Sequence, residues 1–446
     1  MFARNISDPY ARESIQVKKS STKNYVADLP KTATELDTLI TQEKIDNLPK
    51  IVFLAGVFLL IFSAYNPVQN MVSVLFKQLG EDYLGIFAMI VVNQCYGIGS
   101  LISPIVAPRL SYRTVFASCA AAFVIFIFIG QLISSCAVAS SSLLCHTSMI
   151  YSLMMGASIL AGFGMAFIWF TCSVYIQASA NESNKGKMFG IFGAIHQSSN
   201  ITGALLSLVL LKFFGVKGFF MSQALLGCCA AALFTMVKNP QEHLLPRTSE
   251  KPKPVDMQRL LHFMKKDKMK GYFPLFMLSG YSFSFFVNNL SKMSNNTVQH
   301  FPQEEANVKI GYVLLVFGIA ELGASLVCGQ IFDRSKRLAL KVSIGFAFLV
   351  AIINFIGFTW NSYFMFFPVA ICFGFLDSGT QVVIGALLAS RFNEKYEQFA
   401  IFRFVQAMFQ SFYFLLFLVL ENTAPQIMFL LYLIIAWYAW KHRNNY

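Results

Sequence analysis

Two acidic residues interrupt long apolar stretches of the sequence. Glu321 lies in VLLVFGIAELGASLVCGQ and Asp377 lies in ICFGFLDSGTQ, each near the middle of its stretch. A charge in membrane hydrocarbon is costly unless it is paired or hydrated, and burial favours the neutral form of a carboxyl group. We therefore predict that one or both carboxyl groups exchange protons and couple solute movement to them. The alternative is a protonated carboxyl that only hydrogen-bonds a neighbouring helix.

Amide side chains recur in the other apolar stretches. Asn66 and Asn70 are four residues apart and share one face of a helix. In lipid such groups face the interior of a helix bundle, where they line a polar cavity or only bond neighbouring helices. Besides the two acids, the candidate cavity residues are Asn66, Gln69, Asn70, Asn93, Gln94, His196, Gln197, Asn200 and Gln381. His196 has no partners at ligand spacing, so we expect no metal site and no cofactor.

The apolar stretches are long enough to hold these residues inside a membrane. Hydrophobic residues make up 56% of the 446 residues and charged residues only 13%, against about 25% in soluble domains. A hydrocarbon core of about 30 Å needs roughly 20 helical residues. The stretches that qualify are 51–75, 84–107, 114–135, 148–178, 188–214, 218–237, 272–290, 308–332, 339–358, 362–390, 397–420 and 424–440. We predict an all-α membrane protein with twelve transmembrane helices in two six-helix bundles.

The predicted domains follow from these spans. A polar tail covers residues 1–50, the N-terminal six-helix bundle covers 51–237 and the C-terminal bundle covers 272–440. A basic, proline-containing linker, 238–271, joins the bundles, and residues 441–446 form the C-terminus. We expect the linker to lie near anionic lipid headgroups.

Basic residues are distributed unevenly between the two sides of the predicted membrane. The formal net charge is +13, but the basic residues sit in short loops without a continuous basic face, which argues against nucleic-acid binding. With both termini in the cytoplasm, 29 Lys and Arg residues fall on the cytoplasmic side and 5 on the outer side. This bias predicts cytoplasmic termini and an even number of spans. The plasma membrane and an endosomal or vacuolar membrane are both consistent with it.

Two segments of the chain match each other at an offset of 210 residues. GFGMAFIWF, around Gly164, aligns with CFGFLDSGT, around Gly374. Without a gap, FGIF at 189–192 then aligns with FAIF at 399–402. The match connects corresponding spans of the two predicted halves. Two parallel six-helix repeats are the architecture of major facilitator transporters, so the repeat predicts that fold.

The loop after the eighth span reads GQIFDRSKR and resembles the signature loop G-x-x-x-D-R-x-G-R-R of the major facilitator superfamily. Gly329, Asp333, Arg334 and Arg337 match that pattern. In such loops a carboxylate can cap a neighbouring helix while the cations face phosphates, which makes the loop a conformational latch. The alternative is that the loop is basic only because short basic loops stay in the cytoplasm.

Three further arginines are assigned to the cytoplasmic latch. The loop PIVAPRLSYR after the second span keeps Arg109 and Arg113 but has Pro108 at the acidic position. Arg403 lies about two turns inside the eleventh span and can extend to the interface. We favour a pair between Arg403 and the Asp333 loop over a direct pair with Asp377.

Three segments resemble the Unc-ninety-three-like branch of this superfamily. They are AYNPVQNMVSVLF at 64–76 and the segments 162–203 and 374–411. The third contains the family's G-x-x-D, T-Q and F-A-x-F-R pattern, here Gly374, Asp377, Thr380, Gln381, Phe399, Ala400, Phe402 and Arg403. The resemblance implies a major facilitator fold but leaves the activity open. Some relatives are accessory subunits of potassium channels, and others escort receptors from the endoplasmic reticulum to endosomes.

The predicted outer loops carry two features of their own. Cys136 and Cys145 fall in the loop SSCAVASSSLLCH, where a disulfide forms if that side is oxidising. Asn295 opens the glycosylation sequon Asn-Asn-Thr in the loop after the seventh span.

The sequence shows no catalytic constellation, so we expect no enzyme. We predict a multi-pass protein in the lipid bilayer that moves a small solute by alternating access. The alternative is a non-transporting regulatory or escort subunit for an ion channel or a membrane receptor. Transport predicts a polar cavity that reaches Glu321 or Asp377, whereas an escort role predicts a poorly lined cavity and a lipid-facing partner surface.

Overall fold

The computed structural model describes residues 33–78, 83–136, 145–181, 183–240, 255–298, 303–360, 362–392, 396–420 and 425–442. The chain divides into two compact units, Met1–Asp46 and Asn47–Tyr446. In the first unit the described part is the helical backbone from residue 33 onward. The second unit contains all the sites described below. Among the described residues, every regular element is helical.

The described elements are α-helices joined by short connections. Two single 3₁₀ turns, Ala107–Arg109 and Tyr363–Met365, adjoin them. In chain order the helices are α1 (Ala33–Gln78), α2 (Leu84–Val106), α3 (Tyr112–Cys136), α4 (Thr147–Ser179), α5 (Lys185–Phe234), α6 (Met257–Lys265), α7 (Asp267–Lys270), α8 (Phe273–Val298), α9 (Gln303–Arg334), α10 (Lys336–Trp360), α11 (Phe366–Arg391), α12 (Glu397–Leu420) and α13 (Pro425–Lys441).

Nine helices of the described part are long and apolar enough to cross a membrane. One of them, α5, has 50 residues and is about 75 Å long, more than twice the roughly 30 Å of hydrocarbon. It is interrupted at Gly215, where φ is 64° and ψ is −173°, a conformation that is essentially restricted to glycine. α5 therefore supplies two spans, which agrees with the predicted boundary between 214 and 218. The 26-residue α8 and the shorter apolar helix Ile427–Lys441 complete the twelve.

Aromatic rings fill the interior of each half of the molecule. In the N-terminal half, Phe58 of α1 meets Phe116 of α3 and Trp169 of α4 edge-on, with ring centroids 5.8 Å and 5.7 Å apart. In the C-terminal half, Phe285 of α8 stacks on Tyr432 of α13 at 5.3 Å. Large planar rings pack helices together without polar groups that would need partners in lipid. The many phenylalanines of the sequence therefore serve largely as packing residues.

The two halves meet where small residues allow helices to approach closely. Gly186 and Gly190 of α5 lie against Ser325 and Gly329 of α9, so closely that a Cβ on any of these glycines would meet backbone atoms of the other helix. Gly97 of α2 packs in the same manner on side chains of α12. Close approach through small residues is a common mode of helix association in membranes. The contact between α5 and α9 also positions the polar residues described next.

The linker predicted over 238–271 contains two short helices, α6 and α7, which the sequence analysis did not anticipate. Asp256 caps α6 by accepting a hydrogen bond from the backbone N–H of Arg259 at 2.6 Å. The Arg259 side chain pairs with buried Glu397, at the start of α12, at 2.7 Å. This part of the linker is therefore docked on the C-terminal half of the protein.

Candidate functional site

Pro67 brings α1 and α5 together in the interior of the N-terminal half. A proline cannot donate a hydrogen bond to the carbonyl four residues earlier, which here belongs to Ser63. That carbonyl and the Pro67 ring lie against Gly203 of α5. The Ser63 hydroxyl hydrogen-bonds the Thr202 hydroxyl at 2.5 Å. This close contact places the neighbouring residue Asn66 beside α5.

A continuous series of hydrogen bonds starts at Asn66. Its Nδ2 donates to Oδ1 of Asn200 on α5 at 2.8 Å. The Nδ2 of Asn200 donates to Oε2 of Glu321 on α9 at 2.7 Å. The Glu321 carboxyl is also hydrogen-bonded to the carboxyl of Asp377 on α11. We call these four residues the carboxyl network, and it joins two helices of the N-terminal half to two of the C-terminal half.

The two carboxyl groups of this network are almost completely buried, with 1% of Glu321 and 5% of Asp377 exposed. An ionised carboxylate accepts hydrogen bonds but cannot donate one, so a hydrogen bond between the two groups requires a proton on one of them. Two ionised carboxylates in contact would also repel each other strongly in a medium of low dielectric constant. In this arrangement the pair therefore holds at least one proton.

Close packing of α11 on α9 fixes the two carboxyl groups. Gly374, three residues before Asp377, lies so near α9 that a Cβ there would meet the backbone nitrogen of Glu321. The hydroxyl groups of Ser325 and Ser378 are hydrogen-bonded to each other beside the pair. Oδ1 of Asp377 has no hydrogen-bond partner in the described part of the chain. This buried oxygen is therefore an acceptor of the network that a proton or a donor group can still occupy.

Arg403 forms a second polar centre in the interior. Only 8% of the residue is exposed. Its Nη1 donates to Oε1 of Gln381 at 3.1 Å and to Oε1 of Gln406 at 2.8 Å. Both glutamines donate in turn to the hydroxyl of Ser279 on α8, at 3.3 Å and 3.1 Å. The guanidinium lies over the Trp169 ring, 4.8 Å from its centroid, so its contacts are with uncharged groups.

His196 lies in a box of aromatic rings next to this centre. It is 7% exposed, and its ring meets those of Phe62 and Trp169 edge-on, each with centroids 4.9 Å apart. Nε2 of His196 has no hydrogen-bond partner among the described residues. Because Trp169 touches both His196 and Arg403, the box and the arginine form one continuous site.

Asp333 caps the start of α5. Its Oδ1 accepts from the backbone N–H of Gly186 and its Oδ2 from that of Lys187, both at 2.7 Å. The first N–H groups of a helix lack partners within the helix and attract negative charge, so the carboxylate anchors the end of α9 on α5. Gly329, one turn earlier, permits the close approach of the two backbones.

Two of the arginines assigned to the latch have partners other than Asp333. The predicted pair between Arg403 and the Asp333 loop is wrong, because Arg403 is buried among glutamines in the interior. Arg113 donates its Nε to the carbonyl oxygen of Val237 at 2.8 Å, so its side chain binds the end of the N-terminal half. Arg109, Arg113, Arg334 and Arg337 are all exposed at the protein surface.

Some predicted cavity residues belong to neither polar centre. Asn93 is buried but donates to the Met89 carbonyl at 2.9 Å, one turn back in its own helix, so its role is local. The side chain of Asn70 lies outside the described residues. The three remaining glutamines of the predicted cavity differ in exposure: Gln197 is buried, Gln69 is half-buried and Gln94 is exposed.

Sequence reasoning missed Trp169, Ser279 and Gln406. Gln406 was detectable, since it lies three residues after Arg403 on the same helical face. It also aligns with His196 at the repeat offset of 210 residues. Trp169 and Ser279 carried no signal, because aromatic rings and serines occur throughout the apolar segments as packing residues.

The two features predicted for the outer loops have different outcomes. Cys136, at the end of α3, is joined to Cys145 by a disulfide, with Cα atoms 5.2 Å apart. The sequence analysis placed Asn295 in a loop, but α8 continues through it to Val298. The sequon is therefore helical in its backbone, and the side chain of Asn295 lies outside the described residues.

Comparisons with known proteins agree with this fold. The family model of the Major Facilitator Superfamily matches residues 52–415. A proton:xylose symporter bound to 6-bromo-6-deoxy-D-glucose matches with a TM-score of 0.67 and 15% identity, covering 90% of this chain and 95% of that one. A bacterial homologue of the iron transporter ferroportin, in its outward-facing state, matches with a TM-score of 0.66 and 12% identity, covering 89% and 98%. The same homologue with soaked iron matches with a TM-score of 0.64 and 12% identity, covering 88% of this chain and 98% of that one.

No curated protein matches the chain in sequence. At the low identities above, the solved structures establish the fold alone. Together with the apolar helices they define an integral membrane protein with the twelve-helix fold of solute transporters, in two six-helix bundles. Because the family model covers most of its length, the chain belongs to the major facilitator superfamily.

Proposed function

We propose that this protein is a secondary transporter, not an enzyme, which moves a small polar solute across its membrane together with protons. The observation that carries the proposal is the buried carboxyl network of Asn66, Asn200, Glu321 and Asp377. Buried ionisable groups in membrane proteins commonly mark proton or substrate pathways. The family pattern that the chain resembles supplies Asp377, and this supports placing the protein in the Unc-ninety-three-like branch.

The network provides a physical link between protonation and conformation. Its hydrogen bond from Asn200 to Glu321 runs between the two halves, which separate and close again during alternating access. A charged Glu321 accepts that bond more strongly than a neutral one, because bonds to charged groups are about twice as strong. Protonation of the pair therefore weakens a contact that holds the halves together, and solute and proton can cross in the same cycle.

The alternative function, as an accessory or escort subunit, makes no use of this network. An escort needs a partner surface on its lipid-facing side. Burying the carboxyl network in the interior costs free energy, and an escort role gains nothing from it. The hydrogen bond from Asn200 to Glu321, which connects the two halves, therefore favours transport. A stoichiometric channel or receptor partner in native membranes, without uptake by the purified protein, would support the alternative instead.

The test is uptake by the purified protein in liposomes with an acidic exterior. A defined mixture of small metabolites is supplied outside, and mass spectrometry identifies what accumulates in the lumen. We expect Glu321→Gln and Asp377→Asn each to reduce the stimulation by the pH gradient about tenfold, the effect of losing one hydrogen bond to a charged group. Asp267→Asn is the matched control, since this carboxylate is exposed and pairs with Lys270 on the surface. Stimulation that is unchanged in both interior variants would contradict the proposal.

A further inference from the structure

We propose that the solute is a small organic monoanion whose carboxylate binds Arg403 and His196. This inference rests on the transport function proposed above and names the class of solute. It comes from the second polar centre, whose arginine forms no ion pair with a carboxylate of the described residues.

Arg403 has no carboxylate partner of its own. Among the described residues, no carboxylate oxygen lies within 4.0 Å of its guanidinium. Its hydrogen bonds go to the uncharged side chains of Gln381, Gln406 and Tyr96, and its planar face covers the Trp169 ring. A buried cation is stabilised fully only by an opposite charge in contact with it. The arginine is therefore held in place by neutral groups while its charge is left to be paired.

Among the described residues, two buried polar atoms of this centre lack hydrogen-bond partners. They are Nε of Arg403 and Nε2 of His196, on residues that are 8% and 7% exposed. Trp169 contacts both side chains, with its ring 4.8 Å from the guanidinium and 4.9 Å from the imidazole centroid. A carboxylate has two oxygens that accept hydrogen bonds in its own plane. The N–H of Arg403 and the Nε2–H tautomer of His196 are donors of the kind that such a group requires.

The surroundings of Arg403 favour a single negative charge. The titratable groups that interact with it electrostatically are Tyr96 of α2, Cys172 of α4, His196 of α5 and Asp377 of α11. Asp377 is the one acid among them, and it is hydrogen-bonded to Glu321. One unpaired cation matches one carboxylate. A dianion such as a phosphate monoester would bring a second charge into the interior without a partner.

Charge balance also links the solute to the proton. When the Glu321–Asp377 pair holds one proton, it carries one negative charge. This charge balances the positive charge of Arg403, so the two centres together are neutral. Entry of a monoanion leaves one excess negative charge, and a second proton on the pair removes it. Carboxylate and proton therefore enter together, and transport carries no net charge.

Binding is tested first, on the purified full-length protein in detergent. The probes are lactate, benzoate and gluconate, each against its own amide, with succinate as the dianion; the readout is the shift in Tm with probe concentration. We expect at least one monoanion to raise Tm, while its amide has no effect and succinate is weaker. Arg403→Gln should reduce the apparent affinity about ten- to a hundredfold, as expected for loss of a charge-assisted hydrogen bond. Arg403→Lys keeps the charge and should retain the preference for carboxylate over amide.

Arg247→Gln is the control for loss of a positive charge, because Arg247 lies in the predicted cytoplasmic linker outside the described residues. If Arg403→Gln does not fold, the carboxylate-over-amide preference of the unmodified protein and of Arg403→Lys decides the matter. The inference is overturned if none of the monoanions shifts Tm, or if Arg403→Gln keeps the full affinity.

Uptake then separates this inference from the proposed function. Labelled gluconate, which crosses lipid poorly without a carrier, is followed in liposomes with an acidic exterior and an imposed membrane potential. Uptake that depends on the pH gradient and not on the membrane potential supports both the transport function and the carboxylate site. Binding that depends on Arg403, without any uptake, supports the carboxylate site and contradicts the proposed transport function. Uptake of uncharged solutes that is unaffected by Arg403→Gln sustains transport and overturns the carboxylate site.

Discussion

At the scale of single residues, the interior keeps its opposite charges on separate partners. Glu321 is hydrogen-bonded to Asp377 and accepts a hydrogen bond from Asn200, whereas Arg403 donates to two glutamines. A direct ion pair between Asp377 and Arg403 would satisfy both charges and would leave little reason for either to change partner. Separate partners keep the acids available to protons and the arginine available to an anion.

Asp333 provides a residue-scale prediction about stability. Asp333→Ala removes both acceptors of the first N–H groups of α5, and loss of a helix cap costs roughly 1 kcal/mol. We expect a lower Tm in detergent, with a smaller loss for Asp333→Asn, which keeps one acceptor oxygen. Arg334→Ala, at an exposed neighbour on the same helix, is the control. A Tm for Asp333→Ala equal to that of the control would show that the cap contributes nothing.

The sequence predicted some of these residues and not their partners. Asn66, Asn200, Glu321 and Asp377 were identified because polar groups in hydrocarbon are costly and must face the interior. The environment of Arg403 was not, because Trp169 of α4 and Ser279 of α8, which complete it, are far from Arg403 in sequence. Depth along a helix can be estimated from spacing, but the rotation of one helix against another depends on packing that a single sequence does not show.

At the scale of elements, the crossing of α5 and α9 is the contact that sets the site. Gly186 and Gly190 on one helix face Ser325 and Gly329 on the other. Farther along the same two helices lie Asn200 and Glu321, so the glycine contact determines whether the carboxyl network can form. Substitutions at these glycines should therefore affect both stability and transport.

Gly329→Ala tests this crossing. The new Cβ would meet the Gly186 carbonyl oxygen and the Gly190 backbone, and overpacking of this kind costs about 1–3 kcal/mol. Gly323→Ala on the same helix is the matched control, since nothing lies within 4 Å of a Cβ there. The control should gain about 0.5–1 kcal/mol from the better helix propensity of alanine. Thermal unfolding in detergent measures both, and equal shifts for the two variants would refute the close crossing.

Element boundaries were predictable where composition changes and less so elsewhere. The break in α5 fell between the predicted spans because Gly215 and the flanking lysines interrupt the apolar run. The helices α6 and α7 were missed in a stretch that proline and charge mark as a linker. Their order comes from the cap of Asp256 and the pairing of Arg259 with Glu397, a contact distant in sequence.

At the scale of the whole molecule, length and apolar composition predicted the fold almost completely. Twelve spans and two similar halves follow from stretches that exceed the thickness of hydrocarbon and from the repeat at 210 residues. The cytoplasmic placement of both termini stays a prediction from the distribution of basic residues. Function depends on the small number of contacts that connect the halves, which is why the fold alone does not specify it.

The central claim is that solute movement and proton movement are coupled through Glu321 and Asp377. Its most direct test is proton entry into liposomes that contain a trapped pH-sensitive dye, followed when a solute that the protein accumulates is added outside. The unmodified protein should acidify the lumen only when the solute is present, and the Glu321→Gln, Asp377→Asn double variant should not acidify it. Solute accumulation by the unmodified protein without acidification, or equal acidification by the double variant, would contradict the account.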